Sequence, residues 1–433
     1  MPYFHDATEE KLKPDELSAL QAAKLSALLG TVSSNKFYKS RFKAAGIKGS
    51  DFSQLALDQL PFLTKAELIA DQAKTSPFGT NLTFPVTDYS RFHHSSGSTG
   101  AAPLRWLDTP ASWEWMVRNW SFVFGAAGLK PKDRVCFAFS FGPFLGFWTA
   151  FEAATRIGAL CFPAGGMSTH ARLRFMLDNG ITVVCCTPTY AMRMAQTAEE
   201  ERINIALSPV RMLIVAGEPG GSVPRTRAII EDSWGARCVD HYGMTETGPV
   251  SFECEKTPGR MHVIESEFIA ECVDPKTGAP VADGETGELV LTNLGRTGSP
   301  AIRYRSCDMV RLTHPTLKGG PCACGRSFAA LDGGILGRTD DMIIVRGVNI
   351  YPSAVEEVIH AFPVAEFRVE VATVRAMSEL RIQIEADRDE NGVAIAAKIA
   401  AELDKKLGIR VVVESVASLP RFEMKARRWV SVG

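Results

Sequence analysis

The chain has 433 residues, 45% of them hydrophobic and 22% charged, and its formal net charge is −1. This length and composition indicate a globular protein with about two or three domains, and the near-zero charge gives no electrostatic reason to expect nucleic acid or an anionic membrane as a partner. No uncharged apolar stretch of about 18 residues occurs and no basic segment precedes an apolar run near the start, so neither a transmembrane helix nor a signal peptide is expected.

The ten cysteines are scattered along the chain, mostly among apolar neighbours, as in residues 181–186 (ITVVCC). Buried thiols of this kind are typical of a reducing compartment, and we expect a cytoplasmic protein.

The first ninety residues have the pattern of a scaffold. Leucine and alanine at three- and four-residue spacings predict helical structure over residues 7–48. Turns are predicted around Pro61 and Pro77, and no chemistry is assigned to this region.

Residues 95–100 read SSGSTG. Gly97 and Gly100 let the backbone approach a ligand closely, and successive backbone N–H groups in such a turn bind anions. A flexible serine–glycine linker has the same composition. Aromatic residues on both sides, such as Tyr89 before the stretch and Trp106 after it, place it inside a packed domain and favour a phosphate-binding loop.

Helical and β-rich stretches alternate between residues 110 and 250, which predicts a mostly parallel sheet with helices on both faces. Helices are predicted near residues 110–127, 145–158, 168–179, 189–202 and 222–234, and strands near 134–140, 159–163, 181–186, 211–216 and 236–241. Ligands bind such sheets at the carboxyl ends of the strands. The segments 217–219 (GEP) and 242–246 (YGMTE) directly follow predicted strands and should lie at that edge.

Residues 240–247 read DHYGMTET. Tyr242 offers a flat face to a heteroaromatic ring, Gly243 permits close approach, and Thr245 and Glu246 offer oxygens to a phosphate and to a hard cation such as Mg²⁺. A strand-to-loop turn with a capping threonine is the alternative interpretation.

Short strands separated by turns are predicted over residues 265–313, as in an antiparallel subdomain. The region ends in residues 301–312, AIRYRSCDMVRL. On its own, Asp308 would be a turn or salt-bridge residue.

Cys322 and Cys324 lie two residues apart in a glycine- and proline-rich turn, and Cys254 and His262 flank an upstream turn. Together they make a Cys₃His set that suits a structural, tetrahedral Zn²⁺ site, and ordinary loop thiols are the alternative.

The segment 336–353, LGRTDDMIIVRGVNIYPS, precedes a small α+β unit. That unit has predicted helices at 354–362 and 390–406 and predicted strands at 366–375, 379–386 and 409–415. The basic segment 419–429, LPRFEMKARRW, follows the last predicted strand and reads by default as a solvated tail.

Taken in order, SSGSTG, GEP, DHYGMTE, YRSCD, GRTDD with RGVNIYP, and PRFEMKARR resemble the motifs of adenylate-forming acyl-CoA synthetases. SSGSTG is most similar to the phenylacetate-CoA ligase branch. The resemblance spans residues 89–429 and implies an α/β protein with two domains. Residues 1–337 would form a large N-terminal domain with mostly parallel, helix-flanked sheets and a β-rich subdomain, and residues 338–433 a small, mobile α+β C-terminal domain.

The resemblance implies a nucleotide site in which Tyr242 stacks on adenine, Thr245 contacts the α-phosphate and Glu246 holds Mg²⁺. Asp308 would bind both ribose hydroxyls, since a carboxylate accepts two O–H donors. The implied nucleotide-binding residues are Ser95, Ser96, Gly97, Ser98, Thr99, Gly100, Gly217, Glu218, Pro219, Asp240, His241, Tyr242, Gly243, Arg305, Asp308 and Arg338.

The resemblance also implies that the small domain swings about Asp340 between two orientations. Arg346 and Gly347 would then line the channel for the thiol, and Lys425 would be the catalytic lysine, with Thr245 and Glu246 as its partners in catalysis.

Two positions depart from the family pattern. The lysine that commonly follows the last glycine of the phosphate loop is replaced by Ala101 and Ala102, so Arg105 is a candidate substitute and pyrophosphate binding would lean more on Mg²⁺. Met424 stands where glycine precedes the terminal lysine.

Five phenylalanines cluster around Pro143, which would ordinarily form a buried aromatic core. In the ligase branch the corresponding segment lines the aryl pocket, which singles out Phe141 and Phe144, with Ala216 and Met244 at its border. Phenylacetate, benzoate, anthranilate and indoleacetate all fit this interpretation.

The implied reaction joins an aromatic carboxylic acid to CoA through an acyl-adenylate, with ATP, Mg²⁺ and CoA as cofactors and substrates. One alternative, an adenylating enzyme that loads a carrier protein, would use the same residues. The other, a non-catalytic nucleotide-binding protein, predicts the loss of Lys425, Glu246 or Asp308, and all three are present. A homodimer is compatible with either enzyme.

Overall fold

A computed structural model of the protein describes residues 5–95, 103–341, 343–345, 348–374, 377–387, 390–421 and 428–432. Several predicted site residues lie outside these ranges: Ser96, Gly97, Ser98, Thr99, Gly100, Arg346, Gly347 and Lys425.

The helices of the described residues follow the predicted alternation closely. They are α1 (Pro14–Val32), α2 (Lys36–Ala44), α3 (Lys65–Lys74), α4 (Pro110–Ala127), α5 (Trp148–Ile157), α6 (Thr169–Asp178), α7 (Pro188–Glu200), α8 (Pro224–Trp234), α9 (Pro352–His360) and α10 (Gly392–Leu407). None of these described helices is long and apolar enough to span a bilayer.

The described strands form one large sheet, one small sheet and a separate two-stranded ribbon. They are β1 (Arg91–His94), β2 (Arg105–Asp108), β3 (Arg134–Phe137), β4 (Leu160–Pro163), β5 (Val183–Cys186), β6 (Met212–Val215), β7 (Arg237–Met244), β8 (Gly248–Glu253), β9 (Arg260–Val263), β10 (Phe268–Val273), β11 (Thr286–Asn293), β12 (Tyr304–Thr313), β13 (Ala330–Asp332), β14 (Gly337–Arg338), β15 (Ile343–Val345), β16 (Val348–Ile350), β17 (Val364–Val374), β18 (Met377–Ala386), β19 (Val412–Ser415) and β20 (Trp429–Val432).

The large sheet has the order β10-β11-β12-β13-β9-β8-β7-β6-β5-β3-β4, and β14 pairs with β12. The five neighbouring strands β7, β6, β5, β3 and β4 are parallel to one another. Their side chains alternate between two cores, because successive residues of a strand point to opposite faces. Val183 and Cys185 of β5 pack in one core, whereas Val184 and Cys186 pack in the other. The central strands are therefore apolar on both faces, which is why they read as continuous hydrophobic runs.

The predicted parallel sheet and the predicted antiparallel subdomain form one continuous sheet. β7 turns back into β8 as an antiparallel hairpin, and β9, β13, β12, β11 and β10 continue the antiparallel pairing. This arrangement places the end of β7 and the middle of β12, the two strands that carry the predicted nucleotide motifs, in the same sheet. The predicted α/β class is confirmed.

The C-terminal unit has its own sheet, ordered β16-β15-β18-β17-β20 with β19 beside β18. Its core draws on residues 345–409, among them Val369, Ile382 and Ile399, and is distinct from the cores of the large sheet. The domain boundary at residue 338 stays a prediction.

The default interpretation of residues 419–429 as a solvated tail is wrong at its end, because Trp429 begins β20, which is parallel to β17. The basic residues around it are paired: Arg421 contacts Glu385 and Arg428 contacts Glu366, each at 2.6 Å. Cross-strand pairing and these carboxylates, which come from distant residues, explain why the local charge pattern was misleading.

Helix α3 was not anticipated between the turns at Pro61 and Pro77. Its N-terminus is a capping box in which the Thr64 side chain accepts from Glu67 N and the Glu67 side chain accepts from Thr64 N. The backbone of Leu63, just before the helix, is hydrogen-bonded to the two residues that flank Tyr304. Leu63 N donates to Arg303 O at 2.9 Å, and Arg305 N donates to Leu63 O at 2.8 Å. The segment is thus fixed to the strand that carries Asp308.

A buried ion pair anchors the turn after β7. Arg296 contacts both oxygens of Asp108 at 2.7 Å, and both side chains are 0% exposed. Arg296 also donates to the Thr245 carbonyl at 2.6 Å. The pair therefore links β2 to the predicted nucleotide motif.

We predict that Asp108→Ala lowers the free energy of unfolding by about 3–5 kcal/mol, because it leaves the Arg296 guanidinium buried without its counter-ion. Equilibrium urea unfolding measures the change. The matched control is Glu114→Ala, which breaks the exposed contact with Arg156 and should cost less than about 1 kcal/mol. Equal costs for the two variants would contradict the importance given to the buried pair.

Candidate active site

Tyr242 lies at the end of β7, where the β7–β8 register shifts between Tyr242 and Gly243. A Cβ atom at Gly243 would lie only 2.8 Å from the Gly248 carbonyl oxygen, so this position requires glycine for close backbone packing. The Tyr242 hydroxyl donates to Asp308 Oδ2 at 2.6 Å. The hairpin and β12 thus bring two sequence motifs, separated by more than sixty residues, into direct contact.

Asp308 is held between three groups. Besides Tyr242, Arg338 Nη1 donates to Asp308 Oδ1 at 3.0 Å, and the Asp308 amide donates to Ser306 Oγ at 3.0 Å. Cys307, immediately before it, has a φ of 63°, a strained conformation for a residue with a side chain. Burial raises the pKa of Asp308 to about 6, against the opposing effect of Arg338.

Arg338 joins the large sheet to the predicted hinge. Its backbone on β14 is opposite Asp308 on β12. Its Nε and Nη2 atoms contact the two oxygens of Asp340, each at 2.8 Å. One guanidinium therefore binds both the predicted ribose carboxylate and the predicted pivot.

Thr245 and Glu246 form the turn between β7 and β8. The Glu246 side chain is buried, yet its Oε1 lies 3.2 Å from the Lys65 ammonium. The buried Tyr304 hydroxyl is also bonded to Glu246, and burial together with the Glu246 charge raises the pKa of Tyr304 well above its ordinary value. The carboxylate thus faces a cation on one side and a phenol on the other.

Ser95 closes the base of the predicted phosphate loop. Its amide donates to Leu104 O at 2.9 Å, and Leu104 N donates to Ser95 Oγ at 3.1 Å. The pair extends the β1–β2 ribbon by one step beyond His94 and Arg105. Ser95, the first residue of the predicted loop, is therefore paired with Leu104, which lies beyond its end.

The GEP turn follows β6, as predicted. Gly217 has a φ of 95°, which favours glycine, and Glu218 Oε1 accepts from the Thr189 amide at 2.8 Å in the first turn of α7. Pro219 borders a cleft whose other wall includes His360 of α9 and Arg428. The C-terminal unit therefore meets the large sheet beside this turn.

Asp240 and His241 lie deeper, inside the sheet. Asp240 Oδ2 accepts from Ser222 Oγ at 2.6 Å, and burial raises the pKa of Asp240 to about 7. His241 Nδ1 is 2.6 Å from Ser251 O, and burial lowers the pKa of His241 to about 4. Their contacts are with the protein, and their role toward a nucleotide stays a prediction.

Arg305 is directed away from Asp308 in this structure. Its Nε contacts Glu288 Oε2 at 3.0 Å, and its Nη2 donates to Pro275 O at 2.6 Å. Its predicted place in the nucleotide site therefore receives no support from these contacts.

The predicted aryl-pocket residues divide into a packed group and an exposed one. Phe141 lies in an aromatic cluster, 4.4 Å from Phe139 and 4.9 Å from Trp148 between ring centroids. Phe144 is exposed and packs edge-on against His94 at 4.8 Å, beside the base of the predicted phosphate loop. Ala216 and Met244 pack at the borders of two different cores.

The Cys₃His set converges, although its halves lie about sixty residues apart in sequence. Pairing of β13 with β9 places Ala330 opposite His262 and so brings the two turns together. Cys254 Sγ lies 3.7 Å from Cys322 Sγ, and Cys324 Sγ lies 3.4 Å from His262 Nε2. A tetrahedral ion with Zn–S bonds of about 2.3 Å holds its ligand atoms about 3.8 Å apart. The two measured distances are close to that value.

Two groups at the site were missed from the sequence. Lys65 contacts Glu246 from a region to which no chemistry was assigned, and its only sequence signal is its position within the TKAE capping box. Arg296 supports the Thr245 carbonyl, but nothing in its sequence neighbourhood distinguishes it from other arginines.

Comparison with models of known protein families assigns the chain to one of them. The model for AMP-binding enzyme matches residues 11–295, and the model for the C-terminal domain of AMP-binding enzymes matches residues 347–431. The chain therefore belongs to the AMP-binding enzyme family, and the predicted resemblance is confirmed. The phenylacetate-coenzyme A ligase of Escherichia coli is 31% identical over 448 residues, with 97% of each chain covered.

Solved structures agree with this assignment. A 2-hydroxyisobutyryl-CoA ligase in its postadenylation state superposes with a TM-score of 0.90 at 27% identity, covering 98% of this chain and 91% of the other. The same ligase in its thioesterification state superposes with a TM-score of 0.73 at 28% identity and with the same coverage.

We predict that the affinity for adenosine falls as the pH is lowered from about 7.5 to about 5. Above its pKa of about 6 the Asp308 carboxylate is ionised and would accept both predicted ribose hydroxyls, whereas below that pKa the bound proton would remove an acceptor. Calorimetric titration with adenosine, which carries no titrating phosphate, measures the effect. Asp308→Asn should bind weakly and without this pH dependence. Loss of the dependence in Asp240→Asn instead would assign it to Asp240.

Proposed function

We propose that the protein activates an aromatic carboxylic acid with ATP and transfers the acyl group to CoA, giving the aryl-CoA, AMP and pyrophosphate. It is an AMP-forming acid–thiol ligase. The observation that carries this proposal is that Tyr242 and Arg338, from two separate motifs, converge on the Asp308 carboxylate of a third motif, on a strand inside the large sheet. Family membership supplies the type of ligand for that constellation.

The first step is attack of the substrate carboxylate on the α-phosphorus of ATP. The acid is already ionised, so the protein need supply no covalent nucleophile. Its work is to position the two reactants and to neutralise charge on the phosphate oxygens. Tyr242 would stack on adenine, Asp308 would bind the ribose, and Thr245 and the loop that Ser95 closes would contact phosphates.

Glu246 fits the predicted role of Mg²⁺ ligand. It is a buried carboxylate that already faces a cation, as its contact with Lys65 shows. Bound there, Mg²⁺ would neutralise phosphate oxygens, since it prefers one or two carboxylates plus substrate phosphates and water.

The second step needs a different orientation of the C-terminal unit, with Asp340 as the pivot and Arg346 and Gly347 beside the incoming thiol. Superposition is closer on the ligase structure in the postadenylation state than on that in the thioesterification state, which supports placing this structure in the first half-reaction. Lys425 would act in this orientation on the carboxylate and the α-phosphate.

An aromatic acid is favoured because the similar curated proteins include phenylacetate-coenzyme A ligases and because Phe144 packs on His94, beside the base of the predicted phosphate loop. Free CoA is the proposed acceptor, since those proteins are CoA ligases. All ten cysteines are free, which supports the predicted cytoplasmic location.

The function is tested with a panel of phenylacetate, benzoate, anthranilate, indoleacetate and 2-hydroxyisobutyrate, incubated with ATP and CoA and monitored for pyrophosphate and AMP. We expect turnover with an aromatic acid and free CoA. Lys425→Ala should abolish adenylate formation yet spare thioester formation from pre-made acyl-adenylate. Pyrophosphate release that stops at the adenylate when CoA is supplied would favour the carrier-protein alternative, and no pyrophosphate with any acid would refute the proposal.

We further propose that Cys254, His262, Cys322 and Cys324 hold a structural Zn²⁺. The four ligand atoms lie within 4.8 Å of one another, and His262 Nδ1 lies 2.9 Å from Phe328 O, which leaves Nε2 to face the cysteines. The ion would tie the turn after β8 to the turn before β13. All four positions of a tetrahedron would be filled by protein, so the site has no open position for catalysis.

The purified protein should therefore contain about one zinc per chain by elemental analysis. Cys324→Ser should lose the metal and unfold at lower temperature. The matched control, Cys161→Ser, removes a thiol outside the cluster and should keep it. Zinc-free protein of unchanged thermal stability would show that these are ordinary loop thiols.

A further inference from the structure

Lys65 is the first residue of α3, and its ammonium lies 3.2 Å from Glu246 Oε1. The two side chains differ in exposure: Glu246 is 4% exposed, whereas Lys65 is 39% exposed. The contact therefore joins a buried carboxylate to a lysine that solvent can reach.

The position of Lys65 is fixed from both ends of its helix. At the start, Leu63 bonds to the backbone of β12, and Thr64 and Glu67 form the capping box. Further along, Gln72 binds the backbone of Arg105, with Arg105 N to Gln72 Oε1 at 2.9 Å and Gln72 Nε2 to Arg105 O at 2.6 Å. Helix α3 therefore connects the strand of Asp308 to the strand that follows the predicted phosphate loop.

The predicted phosphate loop lacks the lysine that is common after its last glycine, and Ala101 and Ala102 stand there instead. Arg105 was the candidate substitute. Its Nη1 donates to the Pro77 carbonyl at 3.1 Å, on the side of β2 where residues 72–77 lie. Lys65 directly contacts the carboxylate to which the Mg²⁺ role is assigned, whereas Arg105 does not.

We propose that Lys65 is a catalytic residue of the adenylation half-reaction, in which its ammonium binds the phosphate oxygens that leave as pyrophosphate. This inference rests on the proposed function. As the carboxylate forms its bond to the α-phosphorus, the bond from that phosphorus to the bridging oxygen breaks, and the electron pair stays on the β-phosphate. The ammonium stabilises that charge and keeps its proton throughout.

The ion pair with Glu246 is then the resting arrangement of the site. Glu246 would hold Mg²⁺ when the triphosphate binds, and the Lys65 ammonium, on its flexible stem, would then be free to bind the phosphate oxygens. The opposing explanation is that Lys65 only neutralises a buried carboxylate. The two explanations differ in which ligands should lose affinity when the charge is removed.

The test variant is Lys65→Met, which keeps the aliphatic stem and removes the charge. Calorimetry compares its binding of a non-hydrolysable ATP analogue with Mg²⁺ and its binding of AMP. We expect the affinity for the triphosphate to fall at least about tenfold, as for loss of a hydrogen bond from a charged donor, and the affinity for AMP to stay within about twofold. Retained AMP binding shows that the site is folded.

Two further variants bracket the result. Lys65→Arg should restore most of the triphosphate affinity, because it restores the positive charge. Lys74→Ala, which removes an exposed lysine from the other end of the same helix, should leave both affinities unchanged. In single-turnover assays, Lys65→Met should slow adenylate formation and leave thioester formation from pre-made acyl-adenylate unchanged.

Equal losses of triphosphate and AMP affinity would overturn the proposal in favour of a counter-ion role, and unchanged affinities would overturn it outright. The binding experiments need no acid. A wild-type protein that forms no adenylate, while Lys65→Met still loses triphosphate affinity, would refute the proposed function and not the phosphate contact.

Discussion

The site depends on a single buried carboxylate. Asp308 receives the Tyr242 hydroxyl on one oxygen and the Arg338 guanidinium on the other, at 2.6 and 3.0 Å. These contacts join the β7–β8 hairpin, β12 and the segment that leads into the C-terminal unit. A charge this deeply buried is tolerated only when it is paired and hydrogen-bonded, so the three elements cannot separate at this point without a cost.

The support behind the site follows the same principle. The Asp108–Arg296 pair is fully buried, and its remaining donor binds the carbonyl of Thr245. Removing either partner would leave the other charge unsatisfied, so the turn that carries Glu246 is held by groups that cannot rearrange independently. The proposed Mg²⁺ ligand therefore lies on a firmly held turn, whereas the Lys65 side chain that contacts it is long and partly exposed.

Much of the fold was predictable from local pattern. The runs ITVVCC and RMLIVA have the apolar character on both faces that a central parallel strand requires, and α4 has the predicted bounds of residues 110–127. The segments that were mispredicted depend on distant partners. β20 exists because β17 pairs with it and because Glu366 receives Arg428. The contact between Lys65 and Glu246 could not be predicted from the sequence, because it depends on the hydrogen bonds that fix Leu63 to β12.

Arg338 connects nucleotide binding to domain movement in the proposed cycle. In this structure it shares its guanidinium between Asp308 and Asp340, the predicted pivot. A ribose that takes the oxygens of Asp308 must compete with Arg338 and Tyr242, so binding of the nucleotide changes the balance of contacts on Arg338. Because Arg338 and Asp340 are two residues apart, that change reaches the pivot without any intermediate element. In the proposed cycle the carboxylate that would bind the sugar is thus also in contact, through Arg338, with the predicted pivot of the C-terminal unit.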